Sequence, residues 1–180
     1  VGDGIDFAKN VSQKLKNSPK VTIFKTYGTA MFKYNDMEIE FVGARKESYT
    51  KESRNPKVSV GTLEDDQNRR DFTINSMAFS LNKMNYGALV DPFNGLVDIQ
   101  NKVIRTPLSP EITYNDDPLR MLRAIRFATK LDFKINEDSL KSIENLSSRI
   151  KIITNERIIV EINKILLTDK PSLGFILLDK

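Results

Sequence analysis

Cysteine and histidine are both absent from this chain of 180 residues. Without cysteine, disulfides, thiol catalysis and cysteine-ligated zinc are excluded. Without histidine, the chain lacks the usual general base and the commonest transition-metal ligand. Any chemistry must therefore use carboxylates, lysine, arginine or hydroxyl groups.

Long apolar runs are absent as well. No stretch approaches the roughly 20 residues that a membrane-spanning helix needs, and the first residues lack the apolar core of a signal peptide, which favours a cytoplasmic protein. The net charge of +4, with a pI of about 9.2, indicates no partner unless the charges are clustered. Hydrophobic residues make up 39% of the chain, enough for a packed core.

The first hundred residues mix helical and strand patterns. Apolar spacing predicts a helix over residues 3–15, with Asp3 as its cap, and three short antiparallel strands over residues 21–44. The charged segment 45–70 lacks apolar periodicity and predicts a long loop rather than another strand. Helical spacing returns over residues 72–79, and residues 87–106 read as a short strand, a turn, a short helix and a strand.

Beyond residue 106 the pattern is helical. Apolar faces predict helices over residues 118–130, 137–146 and 156–167, and another helix begins near Pro171. The sequence therefore predicts an α+β fold, with a mixed domain over residues 1–108 followed by a helical domain over residues 109–180.

The segment "NDDPLRMLRAIRF" (residues 115–127) combines helix-start signals with a run of cations. Asn115 or Asp116 can cap a helix, Pro118 suits a first helical turn, and Asp117 complements the helix dipole. The start of a capped helix explains these residues without any binding role.

The cations of this segment recur every third residue and share one broad helical face, opposite the core-facing apolar residues: Arg120, Arg123 and Arg126. Cations in successive turns repel each other unless an anion or an acidic partner faces them. Asp117 and Arg120 together could satisfy the edge of a nucleobase, because a carboxylate accepts hydrogen bonds and a guanidinium donates them. Arg123 and Arg126 could then meet phosphates.

A second basic segment is "RRDFTINSMA". Arg69 and Arg70 precede Asp71, which lies at a predicted helix start where exposed N–H groups also favour anions. A capped helix with a solvated basic lead explains the same residues equally well.

Two carboxylates alternate with apolar residues in "MEIEFVGAR". Glu38 and Glu40 are two apart on a predicted strand and share a face. Such residues are usually solvent-exposed, although paired carboxylates also suit a divalent cation. Two-metal nucleotidyl transfer needs about three converging carboxylates, so one strand supplies too few.

Five ordered segments together resemble the bacterial-type CCA-adding tRNA nucleotidyltransferases and their poly(A) polymerase relatives: "GTAMFKYNDMEIEFVGARKESY", "GTLEDDQNRRDFTINSMAFSL", "LVDPFNGLVDIQNKVIRT", "DDPLRMLRAIRFA" and "NERIIVEI". The resemblance spans nearly the whole chain. It implies a nucleotidyltransferase head joined to a helical neck, in agreement with the predicted boundary.

The resemblance also implies roles for individual residues. Those expected to contact the ribose and phosphates of the nucleotide are Arg69, Arg70, Asp71 and Asn75. Asp117 and Arg120 would form the template that accepts the base edges of CTP and ATP, and Arg123 and Arg126 would bind the nucleotide further. A neck motif would brace the template helix through Glu156, Arg157 and Glu161, although ordinary helix-surface ion pairs explain these three as well.

The family also uses two Mg²⁺ ions, held by a D-x-D strand that follows a Gly-rich segment. Spacing from Arg45 favours Glu40 over Glu38 as the family's third carboxylate. The Gly-rich and D-x-D segments precede the equivalent of Val1, and Asp3 and Asp6 do not replace them. We therefore expect a piece of a longer enzyme, inactive by itself, in which Asp116 stands where the family usually has glutamate.

The expected activity of the full-length enzyme is the addition of CMP and AMP to tRNA 3′ ends. A poly(A) polymerase or an enzyme that adds only A shares all five segments. A nucleotide- or RNA-binding protein without catalytic activity is the alternative from another class.

Overall fold

The computed structural model describes residues 3–25, 28–50 and 53–179, with the side chains of residues 48–57 left out of the description. The chain divides into two compact units, one of Val1–Glu47 with Val58–Asp66 and one of Ser48–Lys57 with Gln67–Lys180. Within the described ranges, no helix combines the length and the apolarity that crossing a bilayer requires.

The first unit begins with helix α1, Gly4–Lys14, as predicted. Asp3 caps it, because Oδ1 of its carboxylate accepts hydrogen bonds from the backbone N–H groups of Ile5 (2.7 Å) and Asp6 (3.3 Å). Ala8 is fully buried on the face that packs against the neighbouring sheet. The predicted helix and its cap are both confirmed.

That sheet contains the three predicted antiparallel strands, β1 (Thr22–Phe24), β2 (Thr29–Tyr34) and β3 (Met37–Val42), in the order β1-β2-β3. Ala30 and Phe32 of the middle strand are buried. Asn35 lies between β2 and β3 with φ of 53°, a left-handed conformation that asparagine tolerates in tight turns.

The predicted long loop over residues 45–70 is wrong. Strands β4 (Arg45–Thr50) and β5 (Ser53–Val60) pair in a two-stranded sheet, and helix α2, Leu63–Asn68, follows. Backbone N–H and C=O groups can pair whatever side chains a strand carries, so a polar segment forms strands without apolar alternation.

Reciprocal hydrogen bonds close the start of α2. The backbone N–H of Thr62 donates to Asp65 Oδ2 (2.9 Å), and the backbone N–H of Asp65 donates to the Thr62 hydroxyl (3.1 Å). Hydrogen bonds from the backbone and the side chain of Thr62 hold the pKa of Asp65 below its usual value. A helix therefore begins inside a segment whose composition suggested a loop.

In the second unit, the helix predicted over residues 72–79 is also wrong. Thr73–Asn75 form a single 3₁₀ turn, and strand β6, Ala78–Phe79, pairs antiparallel with β7, Leu89–Val90. The Gln67 side chain donates to the Ser76 carbonyl (2.8 Å), and the Ser76 hydroxyl donates to the Phe72 carbonyl (3.0 Å). Side chains thus occupy carbonyls that a continuing helix would need.

The rest of the predicted elements are present. Helix α3, Gly95–Gln100, and strand β8, Val103–Ile104, follow β7. The helices of the C-terminal part are α4 (Pro110–Asp116), α5 (Leu119–Leu131), α6 (Glu137–Leu146), α7 (Asn155–Leu166) and α8 (Pro171–Leu178), and β9 (Lys134–Ile135) pairs in parallel with β8. Among these elements, α4 and β9 were not predicted. The α+β class is confirmed.

Helix α5 lies at the centre of the second unit. Its apolar residues join Phe72, Ile104 and Tyr114 in one buried cluster, and α7 and α8 pack against it. The helix has no exposed cationic face, because Arg120 and Arg126 are buried as well. Arg120 and Arg126 therefore need partners inside the protein.

Candidate functional site

The loop of residues 69–75, named here the RRD loop, lies against the start of α5. Arg120 is only 9% exposed, and its Nη2 donates a hydrogen bond of 2.7 Å to the backbone carbonyl of Arg69. A second, longer hydrogen bond of 3.4 Å joins its Nη1 to the carbonyl of Thr113. The fold thus brings together two of the predicted nucleotide-binding segments.

Arg123 makes the second connection between α5 and the RRD loop. Its Nε and Nη2 lie 2.8 and 2.6 Å from Oδ2 of Asp71. The other carboxylate oxygen of Asp71 accepts hydrogen bonds from the N–H of Phe72 (2.9 Å) and from Nδ2 of Asn75 (3.0 Å). The prediction that Asp71 lies at a helix start is wrong. Its carboxylate instead bonds within the RRD loop and connects the loop to α5.

Asp117 lies between α4 and α5, directly before Pro118 and the start of α5. Its Oδ1 accepts a hydrogen bond from the N–H of Leu119 (3.2 Å), so Asp117 satisfies the helix start instead of the predicted Asn115 or Asp116. Its Oδ2 lies 3.2 Å from Nη2 of Arg157 on α7. The predicted base-reading carboxylate is thereby held from both sides.

Arg126 has a different set of contacts. Its Nε donates to Oε2 of Glu161 at 2.5 Å, and its guanidinium stacks 4.0 Å from the ring centre of Phe127. The three arginines of α5 therefore avoid mutual repulsion through separate acceptors, two backbone carbonyls for Arg120 and one carboxylate each for Arg123 and Arg126.

Helix α7 carries the three residues predicted to brace the template helix. Arg157 contacts Asp117, and Glu161 contacts Arg126 on α5 and also Lys164 of its own helix (3.0 Å). Glu156 is exposed in the first turn of α7.

Tyr114 of α4 lies fully buried beneath this region. Burial raises its pKa to about 12, the negative charge of Asp71 adds to the rise, and the Ser139 hydroxyl and Arg120 oppose it. The phenol therefore stays neutral under the polar residues above it.

The predicted metal ligands lie in the first unit. Glu38 and Glu40 are exposed on one face of β3, which is an edge strand of its sheet among the described residues. Within the described ranges, no group of three aspartates, glutamates, histidines or cysteines is close enough to hold a metal ion. One exposed pair of carboxylates is too few for a two-metal centre, so these residues do not form one by themselves.

A buried polar cluster behind the RRD loop was not predicted from the sequence. The Thr73 hydroxyl donates to Oδ2 of Asp98 (2.7 Å), and Nε of Arg105 donates to its Oδ1 (3.1 Å). Asp98 resembles an ordinary acidic residue of a short helix in the sequence, and only folding brings Thr73 to it.

Two family models match the chain, the poly(A) polymerase head domain over residues 3–105 and the "probable RNA and SrmB-binding site of polymerase A" over residues 132–180. The chain belongs to the poly(A) polymerase head-domain family. The resemblance stated from the sequence is therefore confirmed. The predicted domain boundary at residues 108 and 109 falls between the two matches and stays a prediction.

Several relatives and solved structures that are similar to this chain are named as tRNA nucleotidyltransferases. The A-adding tRNA nucleotidyltransferase of Aquifex aeolicus is 41% identical, covering 94% of this chain and 20% of the relative. A tRNA nucleotidyltransferase solved with a primer tRNA and an incoming ATP analog matches with a TM-score of 0.81 and 34% identity, covering 98% of this chain and 48% of that one. The apo form II of a CCA-adding enzyme matches with a TM-score of 0.87 and 32% identity, covering 97% and 41%.

This chain thus spans about a fifth of that curated relative and under half of those two solved chains. Enzymes of this family generally use divalent metals.

Proposed function

We propose that the protein to which this chain belongs is a tRNA nucleotidyltransferase that adds CMP and AMP to tRNA 3′ ends, with CTP and ATP as substrates. The proposal is supported by family membership and by relatives and solved structures that are named as CCA-adding enzymes. We propose the cytoplasm as its location, since tRNA and nucleoside triphosphates meet there.

One observation carries the proposal. Arg120 and Arg123 of the template helix contact Arg69 and Asp71 of the RRD loop, about 50 positions earlier in the chain. A segment suited to phosphates and ribose thereby lies beside a segment suited to a base edge. Such a junction is what recognition of a whole nucleotide requires.

Asp117 and Arg120 are the proposed base-reading pair. A guanidinium has five N–H donors, of which the two hydrogen bonds to the carbonyls of Arg69 and Thr113 use two. The remaining donors, with the half-buried carboxylate of Asp117, offer both polarities to a base edge. Cytosine and adenine each present an exocyclic amino donor beside a ring nitrogen acceptor, so one such pair can serve both.

The remaining site residues complete the proposal. We assign nucleotide contacts to Arg69, Arg70, Asp71, Asn75, Arg123 and Arg126, and a bracing role to Glu156, Arg157 and Glu161. Mg²⁺ is the proposed metal, with Glu40 rather than Glu38 as the ligand from this chain. Because the described carboxylates do not assemble a metal centre, we expect the chain by itself to bind nucleotide without catalysing transfer.

Calorimetric titration with CTP, ATP, GTP and UTP tests the base-reading pair. We expect the chain to prefer CTP and ATP, and Asp117→Asn or Arg120→Lys to lose this preference, because each alters the hydrogen-bonding pattern at the base edge. Loss of a hydrogen bond to a charged group costs about 1.5–3 kcal/mol, or ~10- to 150-fold in affinity.

Lys130→Ala is the matched control, since Lys130 is an exposed cation of the same helix. Its affinities should equal those of the parent chain. Equal binding of all four nucleotides by the folded parent, or a preference unchanged in both site variants, would refute the base-reading role.

A second candidate is an enzyme that adds only A, favoured by the name of the Aquifex relative. A bacterial poly(A) polymerase is a third candidate function. Sequencing the products made by the whole protein on a tRNA lacking its 3′ end separates them, because CCA, a single A and a homopolymer are distinct products.

A further inference from the structure

Asp98 of α3 is an acidic side chain that the proposed function leaves without a role. It is 4% exposed, and both carboxylate oxygens are used, one by the Thr73 hydroxyl (2.7 Å) and one by Nε of Arg105 (3.1 Å). A buried carboxylate is costly unless it is paired and hydrogen-bonded. The buried carboxylate of Asp98 therefore depends on Thr73 and Arg105 as its partners.

The backbone around Thr73 is held in the same place. The N–H of Thr73 donates to the carbonyl of Arg105 (2.8 Å), so this arginine contacts Thr73 directly and also through Asp98. Gly95 at the start of α3 lies so close that a Cβ added there would be 2.5 Å from the Thr73 carbonyl oxygen. Helix α3 and strand β8 thus form a fixed support behind this part of the RRD loop.

The α3 support is itself well anchored. Asp91 accepts hydrogen bonds from the backbone N–H groups of Gly95 (2.7 Å) and Leu96 (2.9 Å), which satisfies the start of α3. Asp98 follows on the first turn of this helix and faces the loop. The anchored helix start therefore fixes where the Asp98 carboxylate lies, independently of its hydrogen bond with Thr73.

The RRD loop is thereby held from two sides. Arg120 and Arg123 hold the Arg69 and Asp71 end from α5, and Asp98 holds the Thr73 end from α3. We infer that Asp98 is a positioning residue for nucleotide binding, acting through Thr73 on the RRD loop. This inference rests on the proposed function. It predicts that Asp98 sets the affinity for every nucleotide alike, because the base-reading pair lies on another element.

Asp98→Asn tests the inference, since it removes the charge and keeps the shape. We expect about tenfold weaker calorimetric affinity for CTP and for ATP, with the ratio between nucleotides unchanged. Thr73→Val, which removes the hydroxyl but keeps the volume, should give the same uniform loss, and Thr73→Ser should restore parent affinity. The double variant Thr73→Val with Asp98→Asn should lose less than the sum of the two single changes, because the Thr73–Asp98 hydrogen bond is common to both.

Hydrogen exchange supplies a second readout. Amides of residues 70–76 should exchange faster in Asp98→Asn, while amides of α6 keep their protection, which distinguishes a loosened loop from general unfolding. Asp138→Asn is the control, being the same change at an exposed aspartate of α6. It should leave affinity and exchange of residues 70–76 unchanged.

Parent-like affinity in folded Asp98→Asn and Thr73→Val would overturn the inference alone, as would a change in the preference among nucleotides. Absence of binding by a folded parent chain would refute the expectation that this chain binds nucleotide by itself, and with it this inference, but not the activity proposed for the whole protein. If Asp98→Asn does not fold, Thr73→Val and Thr73→Ser decide the question.

Discussion

Replacing Glu161 with leucine should strongly destabilise the second unit. Glu161 links α7 to α5, since its Oε2 lies 2.5 Å from Nε of Arg126, and its Oε1 lies 3.0 Å from Nζ of Lys164. The side chains of Glu161 and Arg126 are 4% and 11% exposed, whereas that of Lys164 is 48% exposed. After the change, Lys164 can turn to water, but Arg126 stays buried without its counter-charge.

The magnitude follows from this asymmetry. Breaking a buried ion pair by removing one partner costs about 3–5 kcal/mol, and for a chain of this length this corresponds to roughly 6–20 °C in the melting temperature. Replacing both partners by apolar residues of similar size removes the stranded charge. Arg126→Met combined with Glu161→Leu should therefore be within about 2 kcal/mol of the parent, although Glu161→Leu alone is not.

Urea unfolding followed by circular dichroism measures all four members of this double-mutant cycle. The chain contains no tryptophan, so the helical signal at 222 nm is preferable to fluorescence. Lys170→Met is the control, because it breaks the pair between Lys170 and Asp132, in which both side chains are 65% exposed. An exposed pair contributes at most about 1 kcal/mol.

Two results would refute this reasoning. A cost below about 1 kcal/mol for Glu161→Leu would mean that Arg126 finds water or another acceptor. Additive costs in the double variant would mean that the two side chains stabilise the protein independently.

Two further predictions concern the packing around the site. Burial raises the pKa of Tyr114 to about 12, above its ordinary value of 10.0. The neutral phenol therefore contributes about 3 kcal/mol to the stability of the fold below pH 10. This contribution is lost as the pH rises from 10 toward 12. Urea titrations from pH 8 to 12 should show the loss, and Tyr114→Phe should lack it; an equal decline in both would contradict this. Gly95→Ala should cost about 1–3 kcal/mol, because the new Cβ meets the Thr73 carbonyl; a melting temperature equal to that of the parent would show that α3 can move away.

Local patterns were sufficient where a helix depends on its own residues. The apolar faces of α1, α5, α6 and α7 are present in the sequence at the correct spacing, as is the Asp3 cap of α1, and the structure confirms these helices. The turn at Asn35 likewise follows from short-range chemistry. These signals act within a few residues, so they can be read without a fold.

Pattern reading failed where distant groups decide the conformation. The apolar spacing of Phe72, Ile74, Ala78 and Phe79 suggested a helix. Instead, a 3₁₀ turn and a strand form here, where the Gln67 side chain, the Ser76 hydroxyl and the Arg105 carbonyl make hydrogen bonds to the turn. The charged strands β4 and β5 were missed because backbone pairing leaves no periodic trace in polar side chains.

The sequence by itself determined the chemistry available to these 180 residues, with carboxylates and arginines in place of thiols and imidazoles, and the segments that assign the chain to its family. Only the tertiary structure decided which acceptor each arginine meets and that Asp98 lies behind Thr73. The physical reason is distance along the chain. Arg123 and Asp71 are 52 positions apart, and a buried charge is tolerated only when folding supplies its partner.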